Sequence, residues 1–358
     1  MENERYIRQT ILKGFGLESQ KKLTNASVLV VGAGGLGVPV LQYLNAMGVG
    51  KIGVIDNDVV SLSNLHRQVL YSEKDIGKSK IVCAIEKLKA QNSNTDLRGY
   101  ESFLTKNNAI SIIEDYDLVV DASDNFSTRY LVNDVCVMLG KPFIYGALHG
   151  FEGHLSVFNY KEGPTYRCLF PTMPKAEEIP NCNEQGVLGV IPGIIGNLQA
   201  LEAVKIITGI GTVLSGKLLI FNALEQEYHK FNICSIPKNK TITALQDSYE
   251  LECNIDTLSV TANAFSELLD SNDQLQLIDV RTEEEYQDFH LEQAIHIPLD
   301  SLDLNHNTIN YNKPVYFICQ AGVRSVKAIQ ILRKHQPKAT LINIEGGLNQ
   351  LKDYASGH

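Results

Sequence analysis

SVLVVGAGGLG, residues 27–37, decides the fold of the first part of the chain. A short run of aliphatic, mostly β-branched residues leads directly into glycines, and apolar residues at helical spacing follow through Leu41 and Leu44. The next apolar run, KIGVID at 51–56, predicts a second buried strand. This order of strand, glycine turn, helix and strand is typical of a doubly wound, Rossmann-like parallel α/β sheet.

The glycines themselves predict a nucleotide site. They fit G-x-G-x-x-G between a strand and a helix, so the backbone can approach phosphate and the helix N-terminus supplies N–H donors. Asp56 ends the second strand 19 residues after the last of these glycines, where an acidic side chain would bond ribose hydroxyls. On these residues alone, an NAD-dependent oxidoreductase is the favoured interpretation. The glycines of the pattern are Gly32, Gly34, Gly35 and Gly37.

Charged residues further along favour a triphosphate instead. A triphosphate carries more charge than a dinucleotide pyrophosphate and usually recruits Arg or Lys, and Arg67 and Lys80 are placed to supply that charge. A third predicted strand ends in Asp121–Asn125, at the sheet edge where ligands bind. A carboxylate there can hold Mg²⁺ together with phosphate oxygens. Solvated surface charge is the alternative for any one of these residues.

Residues 1–235 resemble the MoeB/ThiF group (HesA/MoeB/ThiF family) of the ubiquitin-activating superfamily. The motifs that carry the resemblance are RYIRQ (5–9), VGAGGLG (31–37), DNDVVSLSNLHRQ (56–68), GKSK (77–80) and DASDN (121–125). The resemblance implies that the chain uses ATP to adenylate the C-terminal glycine of a ubiquitin-like sulfur carrier protein of the MoaD or ThiS type. Pyrophosphate is the second product of that reaction.

The resemblance also implies roles for individual residues. The residues expected around ATP are Asp56 at the ribose and Asn64, Arg67 and Lys80 at the phosphates. Asp124 would organise Mg²⁺. Arg8 would reach into the site of a neighbouring subunit, which implies a homodimer.

Relatives in this family often hold a structural zinc ion with two C-x-x-C pairs, and this chain departs from that pattern. The first pair would fall at 165–168, where Thr165 replaces one cysteine and Cys168 is retained. The second would fall near 237–242, which has no cysteine. One thiolate cannot complete a tetrahedral site, so we predict that zinc is absent.

A long segment at 161–190 contains four prolines and is predicted to run over the surface. It includes Cys182, which in the resemblance matches a cysteine in a loop that crosses the active site. Such a cysteine could form a transient thioester or disulfide with the activated carrier. A passive loop thiol is the alternative.

The strand and helix patterns fade after Ser235 and restart near Leu258. We therefore predict an adenylation domain at 1–240, a linker at 241–257 and a smaller α/β domain at 258–358. The second domain begins with a helix-like stretch, SVTANAFSELL, at 259–269.

CQAGVRS, residues 319–325, lies between a predicted strand and a predicted helix of the second domain. Backbone N–H groups and a helix dipole favour the thiolate of a cysteine in such a loop, and an arginine adds positive charge. A stabilised thiolate can become a persulfide. Phosphatases use a similar loop with five residues between cysteine and arginine, whereas this loop has four and is better suited to sulfur. The predicted persulfide loop consists of Cys319, Gln320, Ala321, Gly322, Val323 and Arg324.

Residues 258–358 resemble a rhodanese domain through LIDVRTEEEY (277–286), HLEQAIHIPL (290–299), CQAGVRS and EGGL (345–348). Two glycines that are usual in that family are Phe289 and Gln293 here. The order of the two domains resembles the MoeB-like sulfurtransferases. It implies that Cys319 takes sulfur from a donor such as a cysteine desulfurase, and that the adenylated carrier leaves as a thiocarboxylate.

Composition and charge limit the other partners. A formal charge of −9 argues against direct binding of nucleic acid, and no apolar run of about 18 residues predicts a membrane span. The polar N-terminus lacks a signal-peptide pattern, so we expect a cytoplasmic protein. Molybdopterin synthesis, thiamine synthesis and tRNA thiolation all use this carrier chemistry. The remaining alternative is an activator of a tRNA base or another non-protein substrate, with the rhodanese domain as a docking module.

Overall fold

The computed structural model describes residues 2–174, 186–249, 258–271 and 275–355. The chain divides into two units, 1–252 and 253–358, and each contains its own sheet. Both units mix helices with a mainly parallel sheet, which confirms the predicted α/β class.

The first unit is built on an eight-stranded sheet with the order β3-β2-β1-β4-β5-β6-β7-β8. The strands are β1 (Ser27–Val31), β2 (Lys51–Ile55), β3 (Asp96–Tyr100), β4 (Leu118–Asp121), β5 (Phe143–His149), β6 (Glu152–Phe158), β7 (Lys217–Asn222) and β8 (Glu227–Asn232). The pairs from β3 to β5 are parallel and the pairs from β5 to β8 are antiparallel. Chain order reverses between β1 and β4, and a crevice for ligands opens where such neighbouring strands end.

Helices cover both faces of this sheet. They are α1 (Glu2–Arg5), α2 (Ile7–Thr10), α3 (Gly16–Asn25), α4 (Gly37–Ala46), α5 (Lys80–Gln91), α6 (Ala109–Ile113), α7 (Phe126–Met138), α8 (Tyr166–Leu169) and α9 (Val190–Thr208). Side chains alternate between the faces of a strand. In β1, Val28 and Val30 belong to the same core cluster as Leu41 of α4, while Leu29 belongs to the cluster that contains Val132 of α7. Burial of both faces explains why the four residues of β1 after Ser27 are all apolar.

Helix α9 is long and apolar enough to pass a length and composition test for a membrane span. Half of it is buried, and it carries two polar side chains that bond inside the protein. Gln199 donates to the carbonyl of Asp121 at 2.7 Å, and Glu202 accepts from the N–H of Leu214 at 2.8 Å. These contacts identify α9 as a core helix that crosses the sheet.

The second unit has a five-stranded parallel sheet with the order β11-β10-β12-β13-β9. The strands are β9 (Leu258–Val260), β10 (Gln276–Asp279), β11 (Ala294–His296), β12 (Val315–Ile318) and β13 (Leu341–Ile344). The helices are α10 (Ala262–Ser271), α11 (Glu283–Asp288), α12 (Leu302–Asn305), α13 (Val323–His335) and α14 (Gly347–Ala355). Phe317 of β12 packs in one core cluster with Ile329 of α13, and Ile318 packs in the other with Phe265 of α10.

Two sequence predictions of local structure were wrong. The stretch predicted as a helix from 259 begins as strand β9, which pairs with β13, and the helix starts at Ala262. The segment 161–190 does not run entirely over the surface, because Thr165 and Tyr166 are fully buried. Tyr166 packs edge-on against Tyr130, at a ring separation of 5.1 Å.

The described part of the predicted linker, 241–249, belongs to the first unit. The Tyr249 hydroxyl donates a 2.7 Å hydrogen bond to Asp134 of α7, whose carboxylate also accepts two 2.7 Å bonds from Arg167. Both the Tyr249 and Asp134 side chains are buried. Burial and the Asp134 carboxylate together raise the pKa of Tyr249, so the hydroxyl stays protonated and remains a donor.

Replacing Tyr249 with Phe should lower the free energy of unfolding of the first unit by about 1–2 kcal/mol, because a buried carboxylate loses one of its donors. Urea unfolding followed by circular dichroism measures the change. Tyr228→Phe is the matched control, since Tyr228 is half exposed on β8. Equal effects of the two substitutions would refute a specific bond to Asp134.

Candidate nucleotide and sulfur sites

Glycines shape the turn between β1 and α4. Gly32 has φ +102°, and a Cβ there would lie 2.7 Å from the carbonyl oxygen of Ala122. A Cβ on Gly37 would lie 1.9 Å from the carbonyl oxygen of Gly32. The turn can therefore lie against the end of β4 and lead directly into α4 only because both side chains are hydrogen atoms.

A cavity of about 650 Å³ opens at this turn. Its volume is within the usual range for a small-molecule site. Eight of the predicted site residues line it: Gly32, Gly34, Gly35, Asp56, Asn64, Arg67, Lys80 and Asp124. Gly37 is absent from the lining and acts through packing of the turn. The structure thus brings together residues from the ends of β1, β2 and β4 and from the start of α5.

Asp56 is fixed by backbone donors at the end of β2. One carboxylate oxygen accepts from the N–H of Ala33 at 2.7 Å, and the other accepts from the N–H of Asp58 at 2.8 Å. The carboxylate is partly exposed to the cavity, where its remaining lone pairs can accept hydroxyl hydrogens. This geometry suits the ribose contact that the sequence predicts.

The two predicted cations have different surroundings. Lys80 is buried at the first position of α5, and its ammonium group bonds to Asp58 at 2.7 Å. Arg67 is partly exposed and donates to the carbonyl of Ser63 at 3.1 Å. The Asp58 side chain is 62% exposed, and both members of the pair line the cavity.

Two further cavity residues, Arg129 and Gln68, were missed by the sequence analysis. Arg129 lies between the rings of Phe126 and Tyr145 and donates to the carbonyl of Ser123 at 3.0 Å. Its Nε atom and Oε1 of Gln68 are buried without a hydrogen-bond partner among the described residues. Buried polar atoms that face a cavity are candidates for ligand contacts. The signal in the sequence that could have indicated Arg129 was its position, with three residues between it and Asn125 at the end of the predicted motif.

Asp121 ends β4 below this cavity. One carboxylate oxygen accepts from the hydroxyl and the N–H of Ser123, at 2.6 and 3.1 Å. The other lies 4.0 Å from Nε of Arg129. Burial raises the pKa of Asp121, although the Arg129 charge opposes this effect. Asp121 therefore shapes the turn that presents Asp124.

Two further residues of the predicted nucleotide site, Arg8 and Cys182, stay untested. Arg8 is exposed on α2 and does not line the cavity. Its predicted role involves a second subunit, and it stays a prediction. Cys182 lies outside the described residues.

The predicted persulfide loop turns sharply between β12 and α13. Cys319 is buried, and its sulfur accepts the N–H of Gly322 at 3.1 Å. Gly322 has φ +84°, which a side chain would disfavour. The sulfur thus meets a backbone donor next to the N-terminus of a 13-residue helix.

The glycine pair Gly346 and Gly347 allows α14 to lie against this loop. A Cβ on Gly347 would lie 2.1 Å from the carbonyl oxygen of Cys319. The N–H groups of Leu348 and Asn349 donate to the carbonyls of Cys319 and Gln320, at 2.9 and 3.0 Å. These bonds hold the loop carbonyls on the side of α14.

Arg324, which the sequence analysis predicted to add positive charge to the loop, has a carboxylate partner. It forms a bidentate pair with Glu285 of α11, at 2.6 and 2.7 Å. This pair lowers the pKa of Glu285 to about 2, so the carboxylate is charged at neutral pH. The guanidinium charge at the loop is therefore largely balanced.

The residues around Cys168 do not fit a zinc ion. Its sulfur is surrounded by the N–H of Ile236 at 3.2 Å, the N–H and hydroxyl of Thr165 at 3.4 Å, and the Asn239 amide nitrogen at 3.9 Å. Backbone N–H groups cannot ligate zinc. Among the described residues, no group of three or more His, Cys, Asp and Glu could hold a metal. Burial opposes ionisation, but the hydrogen bonds from Thr165, Ile236 and Asn239 lower the pKa of Cys168.

Comparison with known proteins agrees with this two-site arrangement. Residues 6–243 match the ThiF family, and residues 261–354 match the Rhodanese-like domain. The chain belongs to the ThiF family. Its second unit belongs to the rhodanese-like domains, which confirms the resemblance drawn from the motifs.

Three relatives span most of the chain or of its first domain. "Adenylyltransferase and sulfurtransferase MOCS3" of Xenopus laevis is 41% identical and covers 96% of this chain and 85% of its own. "Probable molybdopterin-synthase adenylyltransferase" of Porphyra purpurea is 41% identical over 97% of this chain and 92% of its own. "Sulfur carrier protein adenylyltransferase" of Thermus thermophilus is 51% identical over 66% of this chain and 89% of its own.

A solved structure resembles the first unit. E. coli MccB, crystallised with AMPCPP and MccA, has a TM-score of 0.59 and 26% identity over 66% of this chain and 73% of its own. The two domains and the named relatives together confirm the prediction of an adenylyltransferase and sulfurtransferase.

We expect chelation to leave the ThiF-family unit intact, because hydrogen bonds to Cys168 replace metal ligation. The melting temperature should be the same with and without EDTA, and elemental analysis should find no stoichiometric zinc. Cys168→Val should lower the free energy of unfolding by about 1–3 kcal/mol, because the partly buried N–H groups of Thr165 and Ile236 lose their acceptor. A drop of the melting temperature in EDTA that is absent in Cys168→Val would contradict this account.

Proposed function

We propose that this enzyme adenylates the C-terminal glycine of a ubiquitin-like sulfur carrier and then converts it to a thiocarboxylate with sulfur carried on Cys319. The carrier we favour is the small subunit of a molybdopterin synthase, since relatives named "Probable molybdopterin-synthase adenylyltransferase" cover 97% and 96% of this chain. The observation that carries the proposal is the presence of two separate sites in one chain. One is a cavity with cations beside a glycine turn, and the other is a buried cysteine in a helix-capped loop.

The first step needs positioning and neutralisation of charge rather than covalent help from the protein. A carboxylate oxygen of the carrier's terminal glycine attacks the α-phosphorus of ATP. The bond to the β-phosphate oxygen breaks, and pyrophosphate leaves. Asp56 would orient the ribose, the turn at Gly32–Gly37 would approach the phosphates, and Lys80 and Arg67 would balance the charge of the leaving group.

A magnesium ion fits the residues present. Mg²⁺ is usually held by one or two carboxylates together with substrate phosphates, so a complete protein cage is not required. Asp124 lines the cavity with an exposed carboxylate and would hold the ion. When bound, the ion would neutralise part of the triphosphate charge.

The second stage moves one sulfur atom. The Cys319 thiolate attacks the outer sulfur of a donor persulfide, such as that of a cysteine desulfurase, and the donor departs as a thiolate. The resulting Cys319 persulfide attacks the carrier acyl-adenylate, and AMP leaves, which gives an acyl disulfide. A second thiol attacks the Cys319 sulfur and releases the carrier thiocarboxylate. The disulfide left on the enzyme then requires a thiol reductant.

Cys182 is the second thiol that we propose for this release. We also propose that the enzyme works as a cytoplasmic homodimer in which Arg8 reaches the neighbouring nucleotide site. The exposed apolar side chains of α2 and the turn after it, Ile7, Ile11 and Leu12, support contact with another chain at that end. Activation of a tRNA base is not favoured, because relatives that cover 96% of this chain are named as sulfurtransferases as well as adenylyltransferases.

ATP–pyrophosphate exchange tests the first step. The purified protein should exchange labelled pyrophosphate into ATP only when a carrier with a C-terminal glycine is added, and the molybdopterin-synthase subunit should support the fastest exchange. A carrier that lacks its terminal glycine is the control, because it offers no correctly placed carboxylate. If the protein binds ATP but none of the added carriers supports exchange, the proposal is overturned.

Replacing Cys319 with Ala tests the second stage. Exchange should continue at the wild-type rate, while thiocarboxylate formation, followed by mass spectrometry of the carrier, should fall below detection because no persulfide forms. Cys234→Ala is the matched control, since Cys234 is an exposed free thiol. Thiocarboxylate formation by the Cys319 variant would exclude this cysteine as the sulfur carrier.

A further inference from the structure

Ser325 and Asn343 lie beside the sulfur of Cys319, and the chemistry above gives neither of them a role. All three side chains are buried, with exposures of 1% for Cys319, 0% for Ser325 and 5% for Asn343. The Cys319 sulfur lies 3.5 Å from the Ser325 hydroxyl oxygen, and that hydroxyl donates a 2.6 Å hydrogen bond to Oδ1 of Asn343. Ser325 is on α13 and Asn343 on β13, so two different elements set this geometry.

The Ser325 hydroxyl has one hydrogen, and Asn343 accepts it. An amide oxygen cannot donate, so the hydrogen lies on the Asn343 side and the hydroxyl oxygen presents lone pairs to Cys319. A neutral thiol can donate to those lone pairs, whereas a thiolate is repelled by them. In the described structure, the N–H of Gly322 is the donor that the sulfur retains.

We propose that Asn343 is a positioning residue for sulfur loading, and that it acts through Ser325 by withholding a hydrogen-bond donor from the Cys319 thiolate. The proposal rests on the proposed role of Cys319 as sulfur carrier. In loading, an electron pair of the thiolate forms a bond to the outer sulfur of the donor persulfide, and the donor's S–S bond breaks. Its electron pair leaves with the donor thiolate.

Loading moves the negative charge from the inner sulfur of Cys319 to the newly bound outer sulfur. A hydroxyl donor at the inner sulfur would stabilise the empty thiolate and do little for the persulfide. Because Asn343 holds that donor away, the empty form loses stability relative to the loaded form. The hydrogen bond between Ser325 and Asn343 therefore favours the persulfide form of Cys319 over the empty thiolate.

Two arginines beside the loop are paired with carboxylates, and neither pair involves Ser325 or Asn343. Arg324 of α13 binds Glu285 of α11. Arg281, after β10, binds Asp279 and reaches the Gln320 side chain at 3.4 Å. Substitutions at Ser325 and Asn343 therefore isolate the direction of the hydroxyl.

The test uses the full chain and the rate at which iodoacetamide alkylates Cys319 as a function of pH, with the Cys319 peptide quantified by mass spectrometry. Asn343→Leu removes the acceptor and keeps the side-chain size. The midpoint of the profile should fall by about one pH unit, because the freed hydroxyl now donates to the thiolate. With glutathione persulfide as the probe, the ratio of loaded to empty Cys319 should fall about tenfold.

The double variant separates positioning from structure. Ser325→Ala combined with Asn343→Leu removes the freed hydroxyl, so the midpoint should return to the wild-type value. If Asn343 had only a structural role, the lowered midpoint would persist in the double variant. Asn343→Ala provides a second variant without the acceptor if the Leu side chain disturbs folding.

An unchanged or raised midpoint in both Asn343→Leu and Asn343→Ala would overturn the proposal, as would a shift that persists in the double variant. This failure differs from failure of the proposed function. If only the proposal for Asn343 fails, thiocarboxylate formation still requires Cys319, but the pH profile of alkylation does not move in the Asn343 variants. If the proposed function fails, the Cys319→Ala variant still forms the thiocarboxylate.

Discussion

The close approach of the turn after β1 to the turn after β4 is the constraint on which the nucleotide site depends. Neither Gly32 nor Gly37 can carry a side chain without meeting backbone oxygen within 3 Å. Because both turns fit together, the loops that follow β1, β2 and β4 open into a single cavity. The same approach brings the start of α4, with its unpaired N–H groups, to the place where phosphate charge would lie.

The two sites use backbone donors in similar ways and manage charge differently. In the first unit, Arg67 lines the cavity with no ion pair among the described residues, and Lys80 lines it together with its partner Asp58. In the second, Arg324 is matched by Glu285, and a single buried sulfur is surrounded by groups of low net charge. A phosphate ester needs the first arrangement, and a sulfur atom that must arrive and leave is better served by the second.

The sequence predicted the buried parallel strands and the glycine turn because both faces of such strands are covered and therefore apolar. It missed β3 and β8, whose side chains are mostly exposed at the sheet edges and leave no apolar pattern. In the sites, it found the residues that belong to short motifs. It could not find the Arg324–Glu285 pair or the Cys168–Ile236 bond, because these join residues 39 and 68 positions apart that only the fold brings together.

Helix α14 holds the cysteine loop through N–H groups of residues 348 and 349, and this sets an order of maturation during synthesis. Domains generally fold as units, with the N-terminal one first. A ribosome adds Gly347 only 28 residues after Cys319, when the whole first unit has long been made. A nascent chain can therefore form its nucleotide cavity while its cysteine loop still lacks the support of α14.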